Sequence, residues 1–258
     1  MKLNYRKYGS GPALLICHGL FGSADNWHSL AKRWAEYFQV YTLDLRNHGG
    51  SPHESVMTYD EMAADVIEFI NHKRLTAVKL LGHSMGGKVA MKVATQLPEN
   101  IDGLAVLDIG MGKTEGEHGP ILDVLDSLKL ENFDSRKELG VAMGAFVQEQ
   151  SKRQFLLKNI MRRVDGSFSW RFNRDALLDN YDTLAGALEL EDVYLGQTLF
   201  LRGGLSNYLG ATLEPGILQF FPLARQVTLE KAGHWLHAEE PDKVFAIITD
   251  FFHGIPKG

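Results

Sequence analysis

Short apolar runs alternate with helix-like segments through the first hundred residues of this 258-residue chain. Buried strands are predicted at residues 13–17, 40–43, 77–81 and 104–107, and helices at 27–38, 58–73 and 87–96. In the second helix, Thr58 and Glu61 have the spacing of a capping box. This alternation is typical of βαβ units and predicts an α/β fold with a mostly parallel sheet flanked by helices.

The alternation stops after Asp108. Residues 111–193 contain several helix-like segments but no convincing strand. Strand character returns at 198–201 and 225–229, before a last helix at about 240–252. We therefore predict one core, formed by residues 1–110 and 194–258, and a helical cap inserted at 111–193.

Composition and charge narrow the classes of partner. The formal net charge of -5 shows no basic excess for a phosphate backbone, so nucleic acid is not expected. The N-terminus lacks a signal-like apolar run, and no stretch reaches the ~18 apolar residues of a membrane span. The chain has a single cysteine, Cys17, and therefore cannot form an intrachain disulfide, which is consistent with a reducing compartment. We predict that Cys17 is a buried structural thiol. We expect a cytoplasmic protein that acts on a small molecule, and its oligomeric state stays open.

The strongest motif is Gly82-His83-Ser84-Met85-Gly86, which matches G-x-S-x-G. An apolar strand pattern ends at Gly82, and a helix pattern begins just after the motif. A nucleophile elbow needs this strand, sharp turn and helix, which expose a serine hydroxyl above the sheet. We predict Ser84 as the nucleophile.

Two further segments supply the partners that such a serine needs. An acyl-transfer enzyme must direct backbone N–H groups at the oxyanion, and we predict Leu20 and Met85 for this role. We expect His18 to hold the shape of its loop. His234 follows the last predicted strand, where the chain order serine, acid, histidine puts the general base, and His237 is an alternative.

The sequence resembles the α/β-hydrolase superfamily over essentially its whole length. Within it, the chain is most similar to the YbfF-type bacterial acyl esterases and the abhydrolase-domain-11 proteins. The segments that carry the resemblance are residues 18–23, 44–52, 82–88, 108–109 and 233–238. The resemblance implies the α/β-hydrolase fold with a helical cap. We interpret the Asp44–Gly49 part as mainly structural, with charged side chains that tie loops together.

The chain departs from the commonest superfamily pattern at the catalytic acid. Ser206 stands where many relatives carry an aspartate, so His234 needs another carboxylate. Asp108 ends the next strand along the chain after the nucleophile strand, and the resemblance implies that this position supplies the acid. Asp182 and Asp192 are weaker alternatives.

These residues predict a serine esterase that works through an acyl-enzyme, with no metal and no organic cofactor. The resemblance implies short- to medium-chain acyl esters as substrates, and acyl-CoA thioesters stay open. We expect Phe21, Phe146, Phe155 and Trp235 to bind substrate. A peptidase or C–C bond hydrolase on the same triad, or a non-catalytic ligand receptor with this fold, are the alternatives. A dehalogenase or epoxide hydrolase would need an aspartate in place of Ser84.

Overall fold

The computed structural model describes residues 1–114 and 118–255. In chain order, its strands are β1 (Tyr5–Tyr8), β2 (Ala13–Cys17), β3 (Gln39–Leu43), β4 (Val78–His83), β5 (Ile101–Leu107), β6 (Ile160–Arg162), β7 (Phe168–Trp170), β8 (Thr198–Gly203) and β9 (Ala224–Leu229). Its α-helices are α1 (His28–Trp34), α2 (Tyr59–Lys73), α3 (Met85–Gln96), α4 (Gly119–Ser127), α5 (Arg136–Met143), α6 (Gln150–Lys158), α7 (Arg174–Asp179), α8 (Tyr181–Ala185), α9 (Pro215–Phe220), α10 (Leu236–Glu239) and α11 (Pro241–His253). Short 3-10 helices lie at Ala24–Trp27, Pro98–Asn100 and Leu130–Asn132. Within this described part, no helix is both long and apolar enough to cross a membrane.

Seven strands form one sheet in the order β1-β3-β2-β4-β5-β8-β9. All neighbours pair in parallel except β1, which runs antiparallel to β3. The predicted mostly parallel sheet is therefore confirmed. The sequence analysis missed β1, because this edge strand has the sequence Tyr-Arg-Lys-Tyr and no apolar run to mark it.

The local predictions differ from the structure mainly at element ends. The predicted helix at 27–38 is shorter in the structure, because α1 ends at Trp34 and Trp27 belongs to the preceding 3-10 turn. At the start of that turn, the Ser23 N–H donates to Asn26 Oδ1 at 2.6 Å. At the start of α2, the Thr58 hydroxyl accepts a hydrogen bond from the Glu61 N–H at 3.2 Å. The Glu61 carboxylate pairs instead with Arg46, at 2.8 Å.

Helices cover both faces of the sheet, so side chains of the central strands are buried on both sides. In β2, Leu15 and Cys17 belong to the core cluster that contains α2 and α3 residues. Leu14 and Ile16, which alternate with them, belong to the cluster that contains residues of α1 and α11. The sheet is thus the middle layer of three. Because helices cover both of its faces, polar side chains of a site are expected at the ends of the strands.

Residues 111–193 lie between β5 and β8 and carry helices α4 to α8. The expectation of no strand in this segment is wrong, because β6 and β7 pair there as a small antiparallel hairpin. Each strand has only three residues, too few for an alternating pattern to be visible in the sequence. Residues 115–117 of the predicted cap and 256–258 of the predicted core lie outside the described residues, and the division into core and cap stays a prediction.

The two ends of this inserted segment lie side by side. The Leu188 N–H donates to the Met111 carbonyl at 2.7 Å. From α3, the buried ammonium of Lys88 donates to the carbonyls of Gly112 at 2.8 Å and Gly186 at 2.6 Å. Burial lowers the pKa of Lys88 to about 8. The helix that begins at the predicted elbow therefore also fixes both ends of the segment above it.

The turn between β4 and α3 depends on the absence of a side chain at Gly82. A Cβ there would overlap the carbonyl group of Gly86. We expect Gly82→Ala to lower the free energy of unfolding by about 1–3 kcal/mol, because the backbone would have to move. Urea unfolding of the variant and the wild-type protein measures this difference.

Gly216 in α9 provides the matched control, because a Cβ at that position meets nothing within 4 Å. Gly216→Ala should leave stability unchanged or raise it by up to about 1 kcal/mol. Equal stability losses in the two variants would contradict the close approach at Gly82.

Candidate active site

The candidate site lies where the order of the sheet strands reverses. Strand β2 lies between β3 and β4, and the carboxyl ends of β2 and β4 meet with Cys17 paired to Gly82. Open α/β sheets bind ligands at such a crevice. The loop after β2 and the turn after β4 therefore lie together at one edge of the sheet.

Ser84 has the strained backbone expected of a nucleophile elbow. Its φ is 53° and its ψ is -125°, a region that costs a non-glycine residue about 1–3 kcal/mol. The Ser84 N–H donates to the Leu107 carbonyl of β5 at 3.0 Å. Its own carbonyl accepts from the N–H groups of Gly87 at 2.7 Å and Lys88 at 3.2 Å. Hydrogen bonds on both sides hold the strained turn in place.

His234 connects the serine to a carboxylate. Its Nε2 lies 3.0 Å from Ser84 Oγ, and its Nδ1 lies 2.8 Å from Asp108 Oδ2. His237, the alternative base, instead stacks on Trp27 with ring centroids 4.5 Å apart. The structure therefore brings His234 to the serine, in the chain order that the sequence predicts.

Asp108 lies just past the end of β5 and is fully buried. Its φ is 49°, and its N–H donates to the Leu201 carbonyl of β8 at 2.9 Å. Its Oδ1 accepts from the Gly203 N–H at 2.8 Å, and its Oδ2 accepts from the Ser206 hydroxyl. Burial raises the pKa of Asp108 to about 6, while these two hydrogen bonds and the charge of Arg202 oppose the rise. The carboxylate is therefore mainly ionised at pH 7.

The same burial affects the histidine in the opposite sense. Burial, and the nearby charge of Lys152, lower the pKa of His234, so its imidazole is neutral at pH 7. An ionised Asp108 can only accept, so the His234 proton is assigned to Nδ1. The lone pair on Nε2 then faces the hydroxyl of Ser84, which is the arrangement that a general base needs.

The two weaker acid candidates lie elsewhere. Asp182 in α8 and Asp192 are both exposed to solvent. His234 makes its carboxylate contact with Asp108. Of the three predicted acids, the structure brings only Asp108 to the histidine.

Two backbone N–H groups beside Ser84 are available to a ligand. Within the described residues, the N–H groups of Leu20 and Met85 have no hydrogen-bond acceptor. The next residue in the first loop differs, because the Phe21 N–H donates to the His48 imidazole at 3.2 Å. The Met85 N–H also belongs to the first turn of α3, where the helix dipole favours negative charge.

The loop after β2 packs directly against the elbow. A Cβ on Gly19 would lie 3.2 Å from Ser84 Cβ, so only glycine allows this approach without movement. The buried His18 ring accepts from the Leu45 N–H at 3.1 Å and contacts its own loop at the Gly19 carbonyl, 2.8 Å away. Asp44 likewise accepts from the Ala24 N–H at 2.7 Å. Both residues connect loops, as expected from the sequence.

Among the described residues, two cavities meet at Ser84, and both are partly open to solvent. Their volumes of about 420 Å³ and 300 Å³ include part of that open space. Leu20, Ser84 and His118 line both of them. The larger cavity extends towards His234 and the smaller one towards Met85 and Lys88. Ser84 is therefore accessible from both cavities.

Three of the four predicted substrate-binding residues line the larger cavity. These are Phe21, Phe155 of α6, and Trp235, whose ring centroid lies 5.7 Å from that of Phe155. Phe146 does not line either cavity. It is half-buried and packs against the main hydrophobic core.

Several residues of the site were not identified from the sequence. The His83 Nε2 lies 2.8 Å from the His234 carbonyl oxygen, and the Tyr208 ring stacks on His234 with centroids 3.8 Å apart. His118 contacts the Tyr181 hydroxyl at 3.2 Å, and burial lowers its pKa to about 4. The G-x-S-x-G motif contains His83, but it does not predict the contact of this side chain with the His234 carbonyl oxygen. His118 lies in the inserted segment, where no motif marks it.

The described residues hold no cluster of metal ligands and one cysteine. Among residues 1–114 and 118–255, no cluster of three or more His, Cys, Asp or Glu side chains could hold a metal ion. Burial raises the pKa of Cys17 to about 12, so its thiol stays protonated.

Comparisons with known proteins identify the family of the chain. The model of the alpha/beta hydrolase fold family matches residues 12–241. The sn-1-specific diacylglycerol lipase of Mus musculus is 38% identical over 248 residues, which cover 93% of this chain and 80% of that protein. Esterase YbfF of Escherichia coli is 34% identical over 260 residues, covering 98% of this chain and 100% of that protein. A solved marine microorganism esterase superposes with a TM-score of 0.94 at 40% identity, covering 97% of this chain and 99% of that one. The chain belongs to the α/β-hydrolase family.

Proposed function

We propose that this protein is a serine esterase that hydrolyses short- to medium-chain acyl esters through an acyl-enzyme intermediate. The observation that carries the proposal is the continuous hydrogen-bonded path from Ser84 Oγ through His234 to the buried Asp108 carboxylate. This path begins at a strained turn and opens onto two cavities. The coarser statement, that the chain is a carboxylic ester hydrolase, rests on the relatives named esterase and lipase.

The first half of the reaction forms the acyl-enzyme. Ser84 Oγ attacks the acyl carbonyl carbon while His234 Nε2 accepts the hydroxyl proton. The carbonyl π electrons move to oxygen, which becomes an oxyanion facing the N–H groups of Leu20 and Met85. When the intermediate collapses, the carbon–oxygen bond to the alcohol breaks, and His234 returns the proton to the leaving oxygen.

The second half regenerates the serine. A water molecule gives a proton to His234 Nε2 and attacks the acyl carbon, so a second tetrahedral intermediate forms at the same oxyanion position. Its collapse breaks the bond to Ser84 Oγ, which regains the proton, and the carboxylic acid leaves. In both halves Asp108 remains ionised and stabilises the imidazolium that forms.

The apolar lining of the larger cavity supports an acyl group as part of the substrate. Phe21 and Phe155 supply apolar surface for such a group. We extend the proposal to acyl-CoA thioesters, because the same attack on a carbonyl carbon releases a thiol.

A substrate panel tests the reaction class. Aryl esters of increasing chain length, acyl-CoA thioesters and aminoacyl amides would be compared by kcat/KM with the wild-type protein. We expect turnover of the esters with a maximum at short or medium length. Preferred cleavage of the amides would indicate a peptidase. Binding of esters without turnover would indicate a ligand receptor and would contradict the proposal.

The role of the nucleophile is tested by removing its hydroxyl. Ser84→Ala should abolish ester turnover and covalent labelling by a fluorophosphonate probe, because the proposed acyl-enzyme forms on the Ser84 hydroxyl. Circular dichroism and thermal unfolding should show an intact fold, since the side chain becomes only slightly smaller. Labelling of the variant at the wild-type rate would contradict the assignment.

The role of the acid is tested with an isosteric change. Asp108→Asn should lower kcat by up to roughly 10⁴-fold, because the amide favours the wrong tautomer of His234. Asp182→Asn and Asp192→Asn are the matched controls, since both carboxylates are exposed, and each should retain nearly full turnover. A large loss in either control, with little loss in Asp108→Asn, would move the acid to another position.

The cavity wall is tested by a matched pair of phenylalanines in the inserted segment. Phe155→Ala should change the preferred acyl length while acetate ester turnover changes little, because Phe155 lines the larger cavity and is not a member of the proposed triad. Phe146→Ala should leave the chain-length profile unchanged, because Phe146 lines neither cavity. Thermal unfolding of both variants separates this effect from a loss of packing. Identical profiles for wild type and Phe155→Ala would rule out the assigned wall.

A further inference from the structure

The smaller cavity has a wall made of two chain segments that are distant in sequence. We call residues 111–114 the exit end of the inserted segment and residues 184–188 its return end. Three residues of these ends line the cavity beside Ser84, namely Thr114, Leu184 and Ala185. The position of the two ends therefore sets the width of the cavity at this wall.

Lys88 of α3 contacts both ends of this wall. Its side chain lines the smaller cavity and is fully buried. The ammonium donates to the Gly112 carbonyl of the exit end at 2.8 Å and to the Gly186 carbonyl of the return end at 2.6 Å. We propose that Lys88 is a positioning residue that holds the two ends in place and so determines which substrate groups the smaller cavity admits. This inference rests on the ester hydrolysis of the proposed function.

The chemistry of the buried ammonium favours a role in geometry. Within the part of the chain that the structure describes, no acidic side chain pairs with Lys88. A buried charge without a counter-charge is costly, and a methionine would fill similar space without that cost. Burial lowers the pKa of Lys88 to about 8, so the group is still mainly protonated at pH 7. What the lysine adds to the site is therefore a pair of directed hydrogen bonds.

The two ends of the wall are also joined to each other. The Thr114 N–H donates to the Ala185 carbonyl at 2.8 Å, and the Leu188 N–H donates to the Met111 carbonyl at 2.7 Å. The two carbonyls that accept from Lys88 lie between these bonds in sequence. A displacement of one end therefore displaces the other, and Lys88 holds the pair at its middle.

Tyr59 of α2 contacts the return end in the same region. Its hydroxyl donates to the Leu184 carbonyl at 2.7 Å, and its ring centroid lies 5.6 Å from the Lys88 ammonium. Without the ammonium, the return end would keep this contact with the core, whereas the exit end would lose its hydrogen bond to α3. We therefore expect the larger displacement at the exit end.

The backbone of Lys88 connects the wall to the nucleophile. The Lys88 N–H donates to the Ser84 carbonyl at 3.2 Å, and Met85 lies in the same first turn of α3. The backbone of this lysine is therefore fixed to the elbow, while its side chain is fixed to the wall. This connection sets the distance between the serine and the wall, which is the dimension that a bound substrate has to match.

The test replaces the ammonium with an apolar group of similar length. In Lys88→Met the carbonyls of Gly112 and Gly186 lose their donor, so the wall should shift. Esters that differ in acyl length and in the size of the alcohol would be compared by steady-state kinetics. We expect KM of the best wild-type substrate to rise by roughly tenfold, while its kcat stays within about threefold because the proposed triad is unchanged. The ratio of kcat/KM between the best and the poorest substrate should fall by a similar factor.

Hydrogen exchange measured by mass spectrometry tests the position of the wall directly. The Thr114 and Leu188 amides are hydrogen-bonded between the two ends, and they should exchange faster in Lys88→Met than in the wild type. Peptides from β4 and β5 are the internal reference and should exchange as in the wild type. A variant that was only less stable overall would exchange faster in these strands as well.

Lys92→Met is the matched control. Lys92 lies one turn later in α3, where its ammonium pairs with Asp60 and donates to the Glu189 carbonyl at 3.2 Å. It is not among the described residues that line either cavity, so its KM values should stay at the wild-type level. Lys88→Arg keeps the donors and should recover part of the loss, whereas Lys88→Gln, with a shorter side chain, should recover less. If Lys88→Met does not fold, the order of the Arg and Gln variants tests the same role.

Two results would overturn the inference and leave the proposed function intact. Wild-type KM values and wild-type exchange in Lys88→Met would mean that the wall keeps its position without the ammonium. Faster exchange throughout the chain, with an equal loss of kcat/KM for every ester, would mean that Lys88 contributes only to packing. If instead the wild-type protein turned over no ester, the proposed function would fail, and the specificity role of Lys88 would fail with it even if the exchange rates showed that it holds the wall.

Discussion

The buried carboxylate of Asp108 is the constraint on which the arrangement of the site depends. A fully desolvated charge is costly unless donors surround it. Its donors come from the end of β8, from the turn that follows, and from the loop after β9. These elements meet only because β5, β8 and β9 pair in parallel, with their carboxyl ends at one edge. The sheet register thus determines whether the acid can remain ionised.

The same register holds two strained residues. Ser84 and Asp108 each follow a central strand, and each has a positive φ. The Ser84 N–H donates to the Leu107 carbonyl at the end of β5, and the Asp108 N–H donates to the Leu201 carbonyl within β8. Each bond continues the sheet ladder one residue past the donor's strand and offsets part of the cost of the turn. Two neighbouring strands therefore present the proposed nucleophile and the proposed acid with the same backbone geometry.

The parts of the fold and site predicted from the sequence are those with a local signal. Apolar runs marked the central strands, and the glycines around Ser84 marked the elbow, whose strained backbone the structure contains. The edge strand β1 and the β6–β7 hairpin have no such signal, because their pairing depends on distant residues. Phe146 and Phe155 show the same limit: both are aromatic residues of one segment, and only the packing of that segment puts Phe155 at the cavity.

The proposed acid and the residue at position 206 lie after adjacent strands of the sheet. The Ser206 hydroxyl and His234 Nδ1 both contact the same oxygen of Asp108, so residues after β5 and after β8 reach one point from adjacent strands. Two carboxylates at this point would repel each other and raise the pKa of one of them. An acid at position 108 therefore favours a neutral donor at position 206. Serine meets that requirement, because it removes the competing charge and supplies a hydrogen bond to the charge that remains.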